Sequence, residues 1–149
     1  MKKFILGLFL ILGVVSFAAP DFVNLKKIED AGYTINKDGN NHFSFSMSDQ
    51  ESALTIAFLK TDLDPKVLND NVRYKFPNRI KFLTELENSK AYVTEYKTDK
   101  SYIYIIIPKN QKVKDYSTRA EYYYVDRLSK DAVDRSVDII LKEIDSYIK

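Results

Sequence analysis

From His42 to Ser48 the chain alternates without a break, with Phe43, Phe45 and Met47 on one side and Ser44, Ser46 and Ser48 on the other. That is the pattern of a strand with one wet face. Ala53–Lys60 is apolar on both sides: Leu54, Ile56 and Phe58 share one face, and Ala53, Thr55, Ala57 and Leu59 share the opposite one. Burial on both faces predicts a more central strand. Ala91–Lys97 and Ser101–Ile107, joined by Thr98-Asp99-Lys100, form the clearest hairpin, and the continuous run Ile105-Ile106-Ile107 again predicts cover on both faces. Arg119–Asp126, with Tyr122-Tyr123-Tyr124-Val125, reads as a further strand, after a polar loop at Lys109–Ser117. Residues 78–87 suit either a helix or a strand. Strand is preferred because Glu87-Asn88-Ser89 then serves as a turn.

Helical spacing appears in three places. Asp21–Ala31 places Phe22, Leu25 and Ile28 on one face, with Gly32 where a left-handed C-terminal cap belongs. Tyr33–Lys37 then reads as extended, leading to a hairpin turn at Asp38-Gly39. Asp64-Pro65 opens a second helix, Asp64 as N-cap and Pro65 in the first helical position, with Val67, Leu68, Val72 and Tyr74 as its buried stripe and Pro77 as its stop. The last helix follows Ser129, and Val133, Val137, Ile140, Leu141, Ile144 and Ile148 mark one face over about five turns. Within it, Asp131 with Arg135 and Asp138 with Lys142 are spaced for ion pairs across one turn. The element order predicts a single α+β domain, a mostly antiparallel sheet with helices packed on it.

The first eighteen residues stand apart from this pattern. Lys2 and Lys3 precede an uncharged apolar run from Phe4 to Phe17, and Ser16-Phe17-Ala18 offers small residues where signal peptidase reads them. This is the layout of a secretory signal peptide on residues 1–18, leaving residues 19–149 as the domain. The run falls short of the roughly 20 apolar residues a spanning helix needs. Lipid attachment at a cleavage-site cysteine is closed because the chain has no cysteine. The expectation is an exported protein, periplasmic or secreted, that meets the membrane only through this segment before cleavage.

Export changes how the charge is read. The chain has 23 Lys+Arg against 21 Asp+Glu, and loss of Lys2 and Lys3 brings the two into balance. A neutral domain has no nucleic-acid footprint. The partner expected is a protein, peptide, glycan or small molecule. Without disulfides the core must hold by packing alone.

Candidate chemistry is sparse. His42 is the one histidine, and Ser44 and Asp38 lie near it in sequence, but no nucleophile-elbow motif is present. One histidine and no cysteine exclude a zinc centre, and no metal or cofactor is expected. Asp38, Asn40 and Asn41 around Gly39, and Asp62, Asp64, Asn69 and Asp70 at the second helix, lack the calcium-loop pattern and read as a turn and a helix start. Glu85, Glu95 and Glu121 could stand on neighbouring strands, so a small secreted hydrolase using paired carboxylates is an alternative function.

The tyrosines are the most distinctive set. Alternation along the hairpin puts Tyr92, Tyr96, Tyr102 and Tyr104 on one face and Val93, Ile103, Ile105 and Ile107 on the other. The phenolic face is the candidate binding platform, and an adhesin or inhibitor using it is a further alternative. Lys97, Lys100, Lys109, Lys112 and Lys114, interspersed with Glu95, Asp99 and Asp115, read as solvated loop charge.

A leading hairpin, the strand at Ala53–Lys60, the helix from Pro65, a meander through Ile107, the Tyr-rich strand and a closing helix ending Glu143-Ile144-Asp145-Ser146-Tyr147-Ile148 together resemble the Mog1/PsbP-like fold group, which includes small exported bacterial proteins. The resemblance covers most of residues 33–149 and implies a three-layer α/β/α arrangement and a non-enzymatic accessory or binding role. It carries no functional residue across. The intact mass of the protein recovered outside the cytoplasm should be that of a chain beginning at Ala19. A mass retaining Met1 would make residues 1–18 an anchor.

Overall fold

The computed structural model of the protein describes residues 19–36 and 41–149, so the signal peptide expected at residues 1–18 and the turn expected at Asp38-Gly39 lie outside the described residues. The elements are α1 (Leu25–Asp30), β1 (Thr34–Ile35), β2 (His42–Ser48), β3 (Ser52–Lys60), α2 (Pro65–Val72), β4 (Lys81–Leu86), β5 (Ala91–Lys97), β6 (Tyr102–Pro108), β7 (Tyr116–Tyr124) and α3 (Lys130–Ser146). The strands form one sheet in the order β1-β2-β3-β7-β6-β5-β4. Every neighbouring pair is antiparallel. The ambiguous stretch before Glu87 is a strand, and it forms one edge of the sheet.

Helices cover both faces. Ile28 of α1 and Val133, Val137, Ile140 and Ile144 of α3 pack with Phe45, Ile56, Phe58, Val93 and Ile106. On the other face Leu68 and Val72 of α2 pack with Tyr96, Ile103, Ile105 and Ile107, with Phe76 and Ile80 alongside. The fold is therefore α+β in three layers. α2 sits over β5 and β6, so β6 is the strand both layers press on, and Ile103, Ile105, Ile106 and Ile107 are fully buried. Each such side chain contributes about 1.5–3 kcal/mol through its removal from water.

Local signals explain the helix ends. The N–H of Gly32 bonds the carbonyl of Glu29 and that of Tyr33 bonds Ile28, with Gly32 at φ +86°. This Schellman arrangement needs a left-handed residue, which glycine adopts without steric cost. The Asp64 carboxylate caps α2 by accepting from the Lys66 N–H, and the Ser129 hydroxyl caps α3 by accepting from Ala132. α2 ends at Val72, two residues short of Tyr74. Tyr74 is 87% exposed and Val67 44%, so two positions of the expected stripe face solvent, and Asn69 joins Leu68 and Val72 inside.

The ion pairs expected within α3 do not form as spaced. Asp138 binds Lys90 of the β4–β5 turn instead of Lys142, and Lys130 pairs with Asp134. Ser44, placed on a wet face by its pattern, is buried and receives a hydrogen bond from the Asn36 side chain. The two ends of the domain are joined: Val23 bridges Ile148, the Asn24 N–H bonds the Tyr147 carbonyl and the Lys149 N–H bonds that of Phe22.

The phenols of Tyr33 and Tyr147 both donate to one carboxylate oxygen of Glu143, at 2.7 and 2.9 Å. Burial, then the Glu143 charge, pushes both tyrosines well above their ordinary pKa. Burial also pushes Tyr104 and Tyr123 up to about 12. A phenol held neutral in the fold contributes stability that is complete below the ordinary value near 10 and is lost as pH climbs from there towards the raised value. In an absorbance titration at 295 nm, Tyr33, Tyr104, Tyr123 and Tyr147 should ionise above the ordinary tyrosine value, with stability falling from about pH 10 upward. A single transition near pH 10 for all eleven tyrosines in a chain that stays folded would contradict this.

Candidate functional site

The register of the β5–β6 hairpin divides the four candidate tyrosines between two faces. Lys97 pairs with Tyr102, so the loop spans Thr98–Ser101, one residue longer than the Thr98-Asp99-Lys100 turn read from sequence. The Thr98 hydroxyl holds that loop by accepting from the N–H groups of Lys100 and Ser101. One residue of shift exchanges the faces of a whole strand. Tyr92 and Tyr96 thus stand opposite Ile107 and Ile103 beneath α2, while Tyr102 and Tyr104 stand opposite Lys97 and Glu95 on the α3 side. The common phenolic platform is corrected to two separate pairs. Tyr96 and Tyr104 are each 1% exposed. Tyr92 and Tyr102 are half-buried, with the ammonium groups of Lys109 and Lys97 over their rings at 5.2 and 5.6 Å.

The three candidate carboxylates do not converge. Each meets an arginine: Glu85 with Arg73 at 2.6 Å, Glu95 with Arg127 at 2.8 Å, and Glu121 with Arg119 at 2.9 Å. Glu95 is on the α3 side, opposite Tyr104. Glu85 and Glu121 share the α2 side in a row that runs Glu85, Thr94, Ile105, Glu121 across three strand spacings. At about 4.8 Å per spacing they are roughly 14 Å apart. Glycoside hydrolysis by paired acids requires about 5–9.5 Å. His42 begins β2 opposite Leu59. Among the described residues no group of three or more His, Asp and Glu side chains could hold a metal ion. At the second helix, Asp64 is the cap, Asp70 pairs with Lys66, and Asn69 accepts from the buried Thr94 hydroxyl.

The most apolar of several concavities among the described residues lies between α3 and the loops at one end of the sheet. Its volume is about 340 Å³. Pro108, Leu141, Ile144 and Ile148 provide its apolar lining, and Lys90, Lys109, Lys112 and Lys142 its basic one, with Asp138 and Asp145 beside them. The α3 core stripe is Val133, Val137, Ile140 and Ile144, and the next stripe round the helix is Asp134, Asp138, Leu141 and Asp145. That second stripe overhangs the loops. Lys90 reaches Asp138 at 2.7 Å, Lys112 reaches Asp145 at 2.6 Å, and the Asn88 amide donates to Asp134. Asn88 also fixes its own turn, accepting from the N–H groups of Lys90 and Ala91, while its carbonyl accepts from Lys109 Nζ. Gln111 closes the β6–β7 loop between the Pro108 carbonyl and the Thr118 N–H. Both loops thus meet the helix through exposed ion pairs, Lys90 with Asp138 and Lys112 with Asp145.

These lysines read as loop charge in sequence. The signal that could have drawn them in is the acid–acid–Leu–acid stripe on α3, which asks for basic partners on whatever packs beside it. The chain matches no family model and no curated protein. Among the described residues no helix is long and apolar enough to cross a membrane.

On the α3 side, Glu95 is 1% exposed and receives Tyr104 Oη and both Nε and Nη2 of Arg127, and Tyr104 Oη accepts the Leu128 N–H. This network ties the β7–α3 connection to the sheet and so sets where α3 begins. Arg127→Ala leaves a buried carboxylate short of its countercharge, which costs more than replacing both partners by apolar groups. The Arg127→Ala protein should therefore unfold at lower urea than both the wild type and the Glu95→Met/Arg127→Met double variant. A double variant less stable than Arg127→Ala would refute the buried-charge explanation.

Proposed function

We propose that this chain is an exported, non-enzymatic binding or accessory protein of the cell envelope, and that the cleft beside α3 holds a small ligand. The cleft carries the reading. Small-molecule sites are concave, largely apolar and preformed, with a few placed polar groups, in volumes of about 300–1,000 Å³. This one combines Leu141, Ile144 and Pro108 with a polar rim fixed by the Lys90–Asp138 and Lys112–Asp145 pairs. The apolar run of residues 4–17 behind Lys2 and Lys3 supports export. Helices on both faces of the sheet support the resemblance to the Mog1/PsbP-like group and the accessory role that it implies. The separation of Glu85, Glu95 and Glu121, each beside an arginine, favours binding over carboxylate hydrolysis.

The reading is tested by titrating the 15N-labelled domain with a library of small apolar and amphipathic compounds. Binding compounds should shift the amides of Lys90, Lys109, Leu141, Lys142 and Ile144, and Leu141→Trp, which fills the cleft, should abolish those shifts. Shifts confined to another surface, or binding untouched by Leu141→Trp, would overturn it.

A further inference from the structure

The core beneath α2 contains a polar group that the fold leaves unanswered. Tyr96 is 1% exposed, and its ring meets those of Phe76 and Phe82 edge-on, with centroids 4.7 and 5.9 Å away. Its hydroxyl is buried and has no hydrogen-bond partner. Two comparable groups do have one. The Thr94 hydroxyl, on the same strand and face, donates to Asn69. Tyr104, equally buried on the opposite face, donates to Glu95 and accepts from the Leu128 N–H. A hydroxyl taken out of water without a partner disfavours the state that buries it.

The cover over Tyr96 is unevenly attached. Leu68 and Val72 belong to α2 and are buried, and Ile103, opposite Tyr96, belongs to the sheet ladder. Phe76 and Ile80 belong to the connection from α2 to β4, residues 73–80, and are only half-buried. The backbone hydrogen bonds of that connection reach back three residues: Tyr74 to Asn71, Lys75 to Val72 and Ile80 to Pro77. None of these ties it to the sheet. Arg73 does so through its side chain, which stacks 3.9 Å over the Phe82 ring and bonds Glu85 at 2.6 Å. Both members of that ion pair are more than a third exposed, at 35% and 42%, and an exposed pair adds little.

We propose that residues 73–80 form a lid that opens locally, with the Arg73–Glu85 pair as its latch and the unpartnered Tyr96 hydroxyl as its bias towards opening. Opening lifts Phe76 and Ile80 from the core beneath α2 and lets the hydroxyl meet water. The strand ladders and the α3 side of the sheet stay closed. A segment held by few buried contacts and by its own local hydrogen bonds opens well before the whole domain unfolds. The lid lies on the α2 side of the sheet and does not depend on the ligand cleft beside α3.

The test reads Tyr96 directly, by brief O-acetylation of the protein with N-acetylimidazole and peptide mass spectrometry, with the equally buried Tyr104 as internal reference. Tyr96 should be acetylated about tenfold faster than Tyr104 or more, at a rate that hardly changes with urea below the unfolding transition, because reaching the open state exposes little surface. Phe76→Ala and Glu85→Gln should each speed Tyr96 while Tyr104 stays protected, and that protection also shows that the variant is folded. If Phe76→Ala loses it, Glu85→Gln decides. Tyr96→Phe should raise the urea midpoint and lower the unfolding constant by about tenfold, since the buried ring then has no unpaired donor. Equal rates at Tyr96 and Tyr104, both rising steeply with urea, would mean that Tyr96 is reached only by global unfolding and would overturn the lid. A Tyr96 rate unchanged in the folded variants would overturn residues 73–80 as its cover. A lower urea midpoint for Tyr96→Phe would show that the hydroxyl stabilises the fold, and the bias towards opening would fall.

Discussion

β6 has no face left for water, and much else follows from that constraint. Ile103, Ile105 and Ile107 are sealed beneath α2, and Tyr104 and Ile106 beneath the α3 layer. Polar groups beside a strand covered on both sides are costly without a partner. In the neighbouring β5 the buried Thr94 is answered by Asn69 from α2 and Glu95 by Tyr104 and Arg127, whereas the buried Tyr96 hydroxyl has no hydrogen-bond partner. The Thr94 and Glu95 contacts reach to opposite helical layers. They fix where α2 sits and where the connection into α3 is held, and the position of α3 creates the cleft.

The elements themselves were legible in the chain, because each rests on a local rule. Asp64, Pro65, Gly32 and Ser129 mark helix ends by hydrogen bonding and backbone geometry that need no distant partner. The stripe of α3 is a period, and Val133, Val137, Ile140 and Ile144 all came out buried. What alternation could not supply was how one strand's phase relates to the next. Within β5 and within β6 the even and odd positions were correctly separated. Their match across the hairpin turned on whether the loop held three residues or four, and the Thr98 hydroxyl settled it by closing over Ser101. Tyr92 and Tyr96 therefore never met Tyr102 and Tyr104 on one surface.

The cleft was hidden for a different reason. It is assembled from the turn at Ser89 and Lys90, the loop from Pro108 to Lys112, and α3 from Asp138 onward. No sequence window contains more than one of these segments. Charges that look mutually cancelling along the chain are sorted by packing into pairs that hold the loops, and lysines that are left over. Tyr74 shows the same limit on the other layer: with α2 stopping at Val72, a periodic position became a solvent position.

The joining of the two ends has a kinetic meaning. Lys149 Nζ reaches the carbonyl of Asp21, 128 positions away, and the Val23–Ile148 bridge closes beside it. α1 packs its Ile28 into a core completed by α3, so the first helix of the domain is seated by its last. Contacts this distant in sequence come late, since the entropy of closing the intervening loop must be met before they form. A domain whose first helix is seated by its last closes this core only once α3 is in place.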